Sequence, residues 1–199
     1  MKKKMLSLAL MTIFISLMAL GSAAYFTVEG RATNIITTGT VDMELEEMQL
    51  VEVDGKSVEV PYPEDKTITG VLPSQKVSKI PYIVGVEGTQ PFYTRVKVDI
   101  TVLVEEKVNE DGLQYILPNY DKTNWEQGAD GWWYYKGEVK EKDRVALFTE
   151  VAFAPEMPND YQNCTVKVAV SAQATQVKNN PVPEAGYTAI VGWPVADAQ

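Results

Sequence analysis

The sequence predicts an all-β protein: an antiparallel β-sandwich of jelly-roll type, behind a hydrophobic signal-peptide helix. Three observations carry this. No stretch after residue 24 keeps the helical spacing of apolar residues. About eight to ten short apolar runs follow one another, separated by breaks rich in Gly, Pro and Asn. Two of them, Phe92 to Val104 and Cys164 to Thr175, alternate apolar and polar residues over their whole length, which is the pattern of a strand with one buried face.

The first 24 residues read as a signal peptide. Lys2, Lys3 and Lys4 form the charged start, Met5 to Leu20 is an uncharged, mostly apolar run, and Gly21-Ser22-Ala23-Ala24 supplies small residues for a peptidase. The apolar run has 16 residues. As a helix it spans roughly 24 Å, short of the roughly 30 Å hydrocarbon core. A membrane connection is therefore expected only through the uncleaved segment. Cleavage fits between Ala24 and Tyr25, with Ser22 three residues before the cut, or one residue earlier after Ala23. The sandwich is expected over residues 25–176 and a C-terminal tail over 177–199.

The stretch from Tyr25 to Glu47 organises the rest. Tyr25, Phe26 and Val28 would open the mature chain, Gly30 interrupts, and Ile35, Thr37, Gly39, Val41, Met43 and Leu45 then share one face of an extended run. A freshly cut apolar amino end must be buried, in its own sheet or in a neighbour's. Asp54-Gly55 between Val51-Glu52-Val53 and Ser57 to Val60 predicts a two-residue hairpin, ended by Pro61 and Pro63. Leu72-Pro73-Ser74-Gln75 predicts a turn. Lys76 to Val86 alternates in part, with Pro81 marking an edge or bulge. Phe92 to Val104 turns Val96, Val98, Ile100, Val102 and Val104 one way, so it belongs in the centre of a sheet. Glu105 to Asp130 reads as a polar loop, and Gly131 to Gly137 as a short aromatic strand. Arg144 to Phe153 reads as one strand through Val145, Leu147, Val151 and Phe153. Cys164 to Thr175 turns Val166, Val168, Val170, Ala172 and Ala174 to one face. The remainder reads as a tail, with Trp193 as its candidate docking point.

Composition excludes several chemistries. The chain has no histidine, which rules out Ser-His-Asp and Cys-His catalysis, HExxH zinc chemistry and imidazole metal sites. Its single cysteine, Cys164, allows no internal disulfide and reads as a buried thiol. With the signal removed, 27 acidic side chains face 15 basic ones, a field that repels nucleic acid and anionic lipid. No catalytic residue, metal ligand or cofactor is expected. Two alternatives to a structural role remain. Glu105, Glu106, Glu110 and Asp111 cluster in one loop and could serve a carboxylate metal site of a secreted peptidase. Trp125, Trp132, Trp133 and Tyr135 could form a surface that stacks on glycans or anchors a partner.

The order of motifs resembles the TasA/camelysin family of Gram-positive bacteria. The residues that carry the likeness are the lysine-rich start and Ala-Ala-Tyr-Phe-Thr, then Ala32 through Leu45 with Thr38-Gly39-Thr40-Val41 at its centre. Leu72-Pro73-Ser74-Gln75-Lys76 stands where the family has a Pro-Gly turn, with Ser74 in the glycine's place. Phe92 to Val98, Tyr161-Gln162-Asn163 and Ala172-Gln173-Ala174 complete the set, which spans roughly residues 1 to 176. The resemblance implies a jelly roll and export through a dedicated SipW-like signal peptidase. It implies residence at the cell surface or in a biofilm matrix. It also implies that Tyr25 to about Thr38, with Tyr25, Phe26, Val28, Ile35 and Ile36, acts as a donor strand completing the next subunit's sheet. Self-association into fibres, or with related matrix subunits, would follow. Some members carry a metallopeptidase label, which this histidine-free chain does not match.

Overall fold

The computed structural model describes residues 41–63, 67–161 and 163–194. The expected signal segment, the cleavage position at Ala24 and Tyr25, and the donor residues Phe26, Val28, Ile35 and Ile36 lie outside them. The described chain is mostly β, in three antiparallel sheets.

β1 (Met43–Val53) and β2 (Lys56–Pro61) form the predicted hairpin. Asp54 and Gly55 hold φ of 50° and 72°, the two left-handed positions of a type I′ turn. At the start of β1 the expected alternation holds: Val41 and Met43 are buried, Asp42 and Glu44 exposed. β3 (Ile68–Thr69), β4 (Lys76–Ser78) and β5 (Ile80–Gly85) follow. The turn before β4 closes with the Gln75 N–H donating to the Leu72 carbonyl at 3.0 Å. Ser74 there has φ 65°, a conformation that glycine adopts without strain. β6 (Phe92–Val104) has the predicted bounds.

The segment read as a polar loop contains β7 (Lys107–Val108), a 3₁₀ turn over Glu110–Tyr115, β8 (Ile116–Pro118) and β9 (Trp125–Gln127). These strands are too short to show a period. β10 (Trp133–Tyr135) is the aromatic strand. The strand expected over Arg144 to Phe153 is two strands, β11 (Arg144–Ala146) and β12 (Glu150–Phe153), in different sheets. The break has a cause in Pro81. β11 runs beside β5 as far as Ala146 opposite Tyr82. At the next step Pro81 accepts from the Leu147 N–H but has no N–H to return. The Leu147 carbonyl takes the Asp121 N–H instead, at 2.8 Å, and the chain leaves the sheet. Pro81 itself lies within β5, between β1 and β11, and not at a sheet edge.

β13 (Thr165–Gln176) completes the set. The sheets are ordered β11-β5-β1-β2, β3-β13-β6-β10-β9 with β7 also on β6, and β4-β12-β8. All three contribute to one apolar core, through Met43, Ile83, Phe92, Val96, Trp125, Val151, Phe153 and Val166. Each such side chain contributes about 1.5–3 kcal/mol when fully buried. The 12-pair ladder between β6 and β13 is the longest element of the fold. Its two ends are sealed at Val96 and Val102, but Val98, Ile100, Val168 and Val170 in its middle are only partly buried.

The segment read as a tail packs on the outer face of the same sheet. Tyr187 meets the Tyr93 ring edge-on at 5.9 Å, Trp193 meets Tyr134 at 5.7 Å, and the Thr175 hydroxyl donates to the Gly192 carbonyl at 3.0 Å. Ile190 is buried.

Candidate functional site

The four aromatic residues proposed as one binding surface do not form one. Trp125 and Trp133 are core residues, 1% and 6% exposed. The Trp125 indole donates to the Ala146 carbonyl at 2.8 Å, and Tyr135 leans on its ring at 5.2 Å. Trp133 stacks on Tyr120 at 4.3 Å. The alternation of a strand explains the division: Trp133 turns into the core while Trp132, one residue before β10, lies on the other side. Trp132 covers the Arg95 guanidinium at 4.4 Å, and Trp193 approaches the same group at 4.8 Å. This surface is filled by the chain's own residues.

Arg95 is the centre of that arrangement. Its Nε and Nη2 donate to Gln173 Oε1 at 2.9 and 2.7 Å, and its Nη1 to the Tyr134 hydroxyl at 3.0 Å. Asp130 closes the group, accepting from the Tyr134 hydroxyl at 2.7 Å and from the Trp132 N–H at 3.2 Å, with Arg95 Nη1 3.5 Å away. Burial works against the charged carboxylate, but the Tyr134 hydroxyl, the Trp132 amide and the Arg95 charge outweigh it and lower the Asp130 pKa. A lowered folded pKa contributes stability that is complete above the ordinary aspartate range and is lost as pH falls through the folded value. Tryptophan fluorescence is therefore expected to change only below about pH 4, and Asp130→Asn should show the acid form's signal at neutral pH. A fluorescence transition unaltered by that substitution would exclude Asp130 as its source.

The carboxylates of the candidate metal site are spread over two turns. Glu105 and Glu106 make the left-handed turn between β6 and β7, with φ of 50° and 63°. Glu110 and Asp111 open the 3₁₀ turn that Asn109 caps through the Gly112 N–H at 3.0 Å. Acidic groups suit the first turn of a helix, so both pairs have a conformational reason for their place. Among the described residues, no group of three or more His, Cys, Asp or Glu is arranged to hold a metal ion. Cys164 is 1% exposed, and burial pushes its thiol pKa up, the reverse of what a nucleophile needs.

Sequence reasoning did not find the feature that stands out here, a strand edge with few partners among the described residues. β13 pairs with β6 along its whole length on one side. On its other side, among the described residues, only β3 pairs with it, at Thr165 and Val166. From Lys167 to Thr175 no strand of the described residues lies beside that edge. The side chains along it are Val168, Val170, Ala172 and Ala174, which face the core, the last two fully buried. Edge strands in folded proteins are normally short, charged or covered. This one is long and apolar, with Lys167 at one end as its only charge. Periodicity marks a strand, but which of its edges lacks a neighbour depends on where the other strands go.

Compared with known proteins, the chain matches no family model, no curated protein and no solved structure.

Proposed function

We propose that this protein is an exported structural subunit of the cell surface or biofilm matrix, a jelly-roll β-sandwich that builds fibres by strand addition. In this reading a SipW-like signal peptidase removes residues 1–24 and frees Tyr25. The apolar segment that follows becomes the strand that a neighbour's sheet lacks. The observation that supports it is the edge of β13, which has no strand beside it from Lys167 to Thr175 among the described residues. Backbone N–H and C=O groups beside a buried apolar face are costly without partners, and an added strand supplies them. A head-to-tail contact of this kind does not close on itself, so it propagates as a filament. The resemblance to the TasA/camelysin family points the same way.

The test is deletion of residues 25–34 from the mature protein, with electron microscopy of the product. The deletion is expected to abolish fibres while leaving the β-sheet circular dichroism intact. Fibres of unchanged appearance from the shortened chain would refute strand addition.

A further inference from the structure

The outer face of β6, β10 and β13 is built unlike the inner one. By register, Tyr93 and Arg95 of β6, Tyr134 of β10, and Gln173 and Thr175 of β13 stand together on it. Four of the five are sealed: Tyr93 is 4% exposed, Tyr134 3%, Gln173 6% and Thr175 1%. The C-terminal segment lies over Tyr93 through Tyr187, over Tyr134 and Arg95 through Trp193, and over Thr175 through Gly192. Each of the five side chains carries a hydroxyl, an amide or a guanidinium. The inner face of β6 and β13 carries Val96, Val102, Ala172 and Ala174, which make no hydrogen bond with water. A seam that never opens is normally lined by side chains of that second kind. Side chains with an apolar body and a polar tip suit a surface that is dry in one state and wet in another.

The way the segment is attached agrees with this. Val177 donates its N–H to the Pro91 carbonyl at 3.0 Å. The following turn stays with the sheet, its Asn180 side-chain amide donating to the Gln176 carbonyl at 2.9 Å. Beyond it, among the described residues, the backbone N–H groups that bond to backbone do so inside the segment. Gly186 donates to Pro183 at 2.9 Å, Ala189 to Gly186 and Ile190 to Tyr187, both at 3.2 Å. The Trp193 indole donates to the Ile190 carbonyl at 2.8 Å. Pro181, Pro183 and Pro194 have no N–H to give. The hydrogen bonds to the body run through the body's side chains: the Thr188 N–H to Glu126 at 3.2 Å, and the Thr175 hydroxyl to the Gly192 carbonyl at 3.0 Å.

We propose that residues 181–194 are a strap that opens from this face as one body while the sandwich stays folded, and that Arg95 is its catch. Opening breaks the ring contacts of Tyr187 and Trp193, the burial of Ile190 and two hydrogen bonds to side chains. No ladder between strands is lost. The seat survives without its cover. Arg95 keeps its bonds to Gln173 and Tyr134, and Trp132 still lies on its guanidinium at 4.4 Å. The open form turns Tyr93, Tyr134 and the second face of that guanidinium to water. The turns inside the strap move with it, so the segment swings about Pro181 and does not unravel from its end.

Thiol labelling in the full mature chain tests this. Cys164 is buried in the core and reports unfolding of the sandwich. Thr175→Cys sets a second thiol beneath the strap. That thiol is expected to react roughly 100-fold faster than Cys164, the signature of a local opening. Adding Trp193→Ala should speed it about tenfold further by removing the ring from Arg95, with Cys164 unchanged. Equal rates at the two thiols, or a rate at position 175 that Trp193→Ala does not move, overturn the strap. Thr175→Cys also removes the hydroxyl that holds Gly192, so the unsubstituted chain is measured by hydrogen exchange. A single 3₁₀ turn protects its own amides poorly, and the buried Ile190 amide should therefore exchange far faster than the β6–β13 ladder. Exchange at Ile190 as slow as in that ladder overturns the strap whatever the labelling shows.

Discussion

Replacing Trp125 with alanine is expected to destabilise the mature protein by about 4 kcal/mol, the usual cost of removing a buried Trp from a well-packed core. The indole is 1% exposed and its N–H is satisfied by the Ala146 carbonyl. The substitution opens a cavity and strands that carbonyl's partner site. It also leaves Tyr135, which rests on the indole, without its support. Trp132→Ala removes a half-buried ring that covers Arg95 and should cost about 1 kcal/mol. Guanidinium denaturation of the two variants checks both values. A glycan-binding role for these tryptophans would give the opposite ranking: little stability lost at Trp125 and binding lost at both.

Arg95→Ala is expected to cost about 3 kcal/mol and to release the C-terminal segment. Arg95 joins β6 to β13 through Gln173, to β10 through Tyr134, and to the C-terminal segment through Trp193. Without the guanidinium, Gln173 keeps a buried amide oxygen with its main partner gone, at about 1–3 kcal/mol for such a group. Arg95→Lys should recover little, since a compact ammonium lacks the planar fork that reaches Gln173 Oε1 with two donors and Tyr134 with a third. Hydrogen exchange over residues 187–194 should speed up in both variants. Protection unchanged from the parent would mean that Tyr187 and Ile190 hold the segment without Arg95.

The strands that periodicity found are those that own enough residues to show a period. β6 has 13 residues and β13 has 12, and the sequence marks both within a residue of their ends. The hairpin at Asp54-Gly55 was legible because two consecutive left-handed residues restrict the choice of side chain. Arg144 to Phe153 was misread because Ala146 and Phe148 make its second face apolar, and because the break depends on Pro81, more than 60 residues earlier. The aromatic cluster was misread for a related reason. Trp125, Trp132 and Trp133 lie close in sequence, but which rings face inward depends on β9 and β10 pairing with each other and with β6.

What the sequence determined by itself is local: an all-β chain, two long amphipathic strands, a type I′ turn, and the absence of any imidazole. These follow from side-chain alternation and backbone preference, which act between residues a few positions apart. What only the tertiary structure decided is which strands flank β13: β6 along its whole length, and among the described residues β3 alone on the other side, at Thr165 and Val166. Hydrogen bonds between strands join residues far apart in the chain, so the neighbours of an edge are set only once every other strand has found its place.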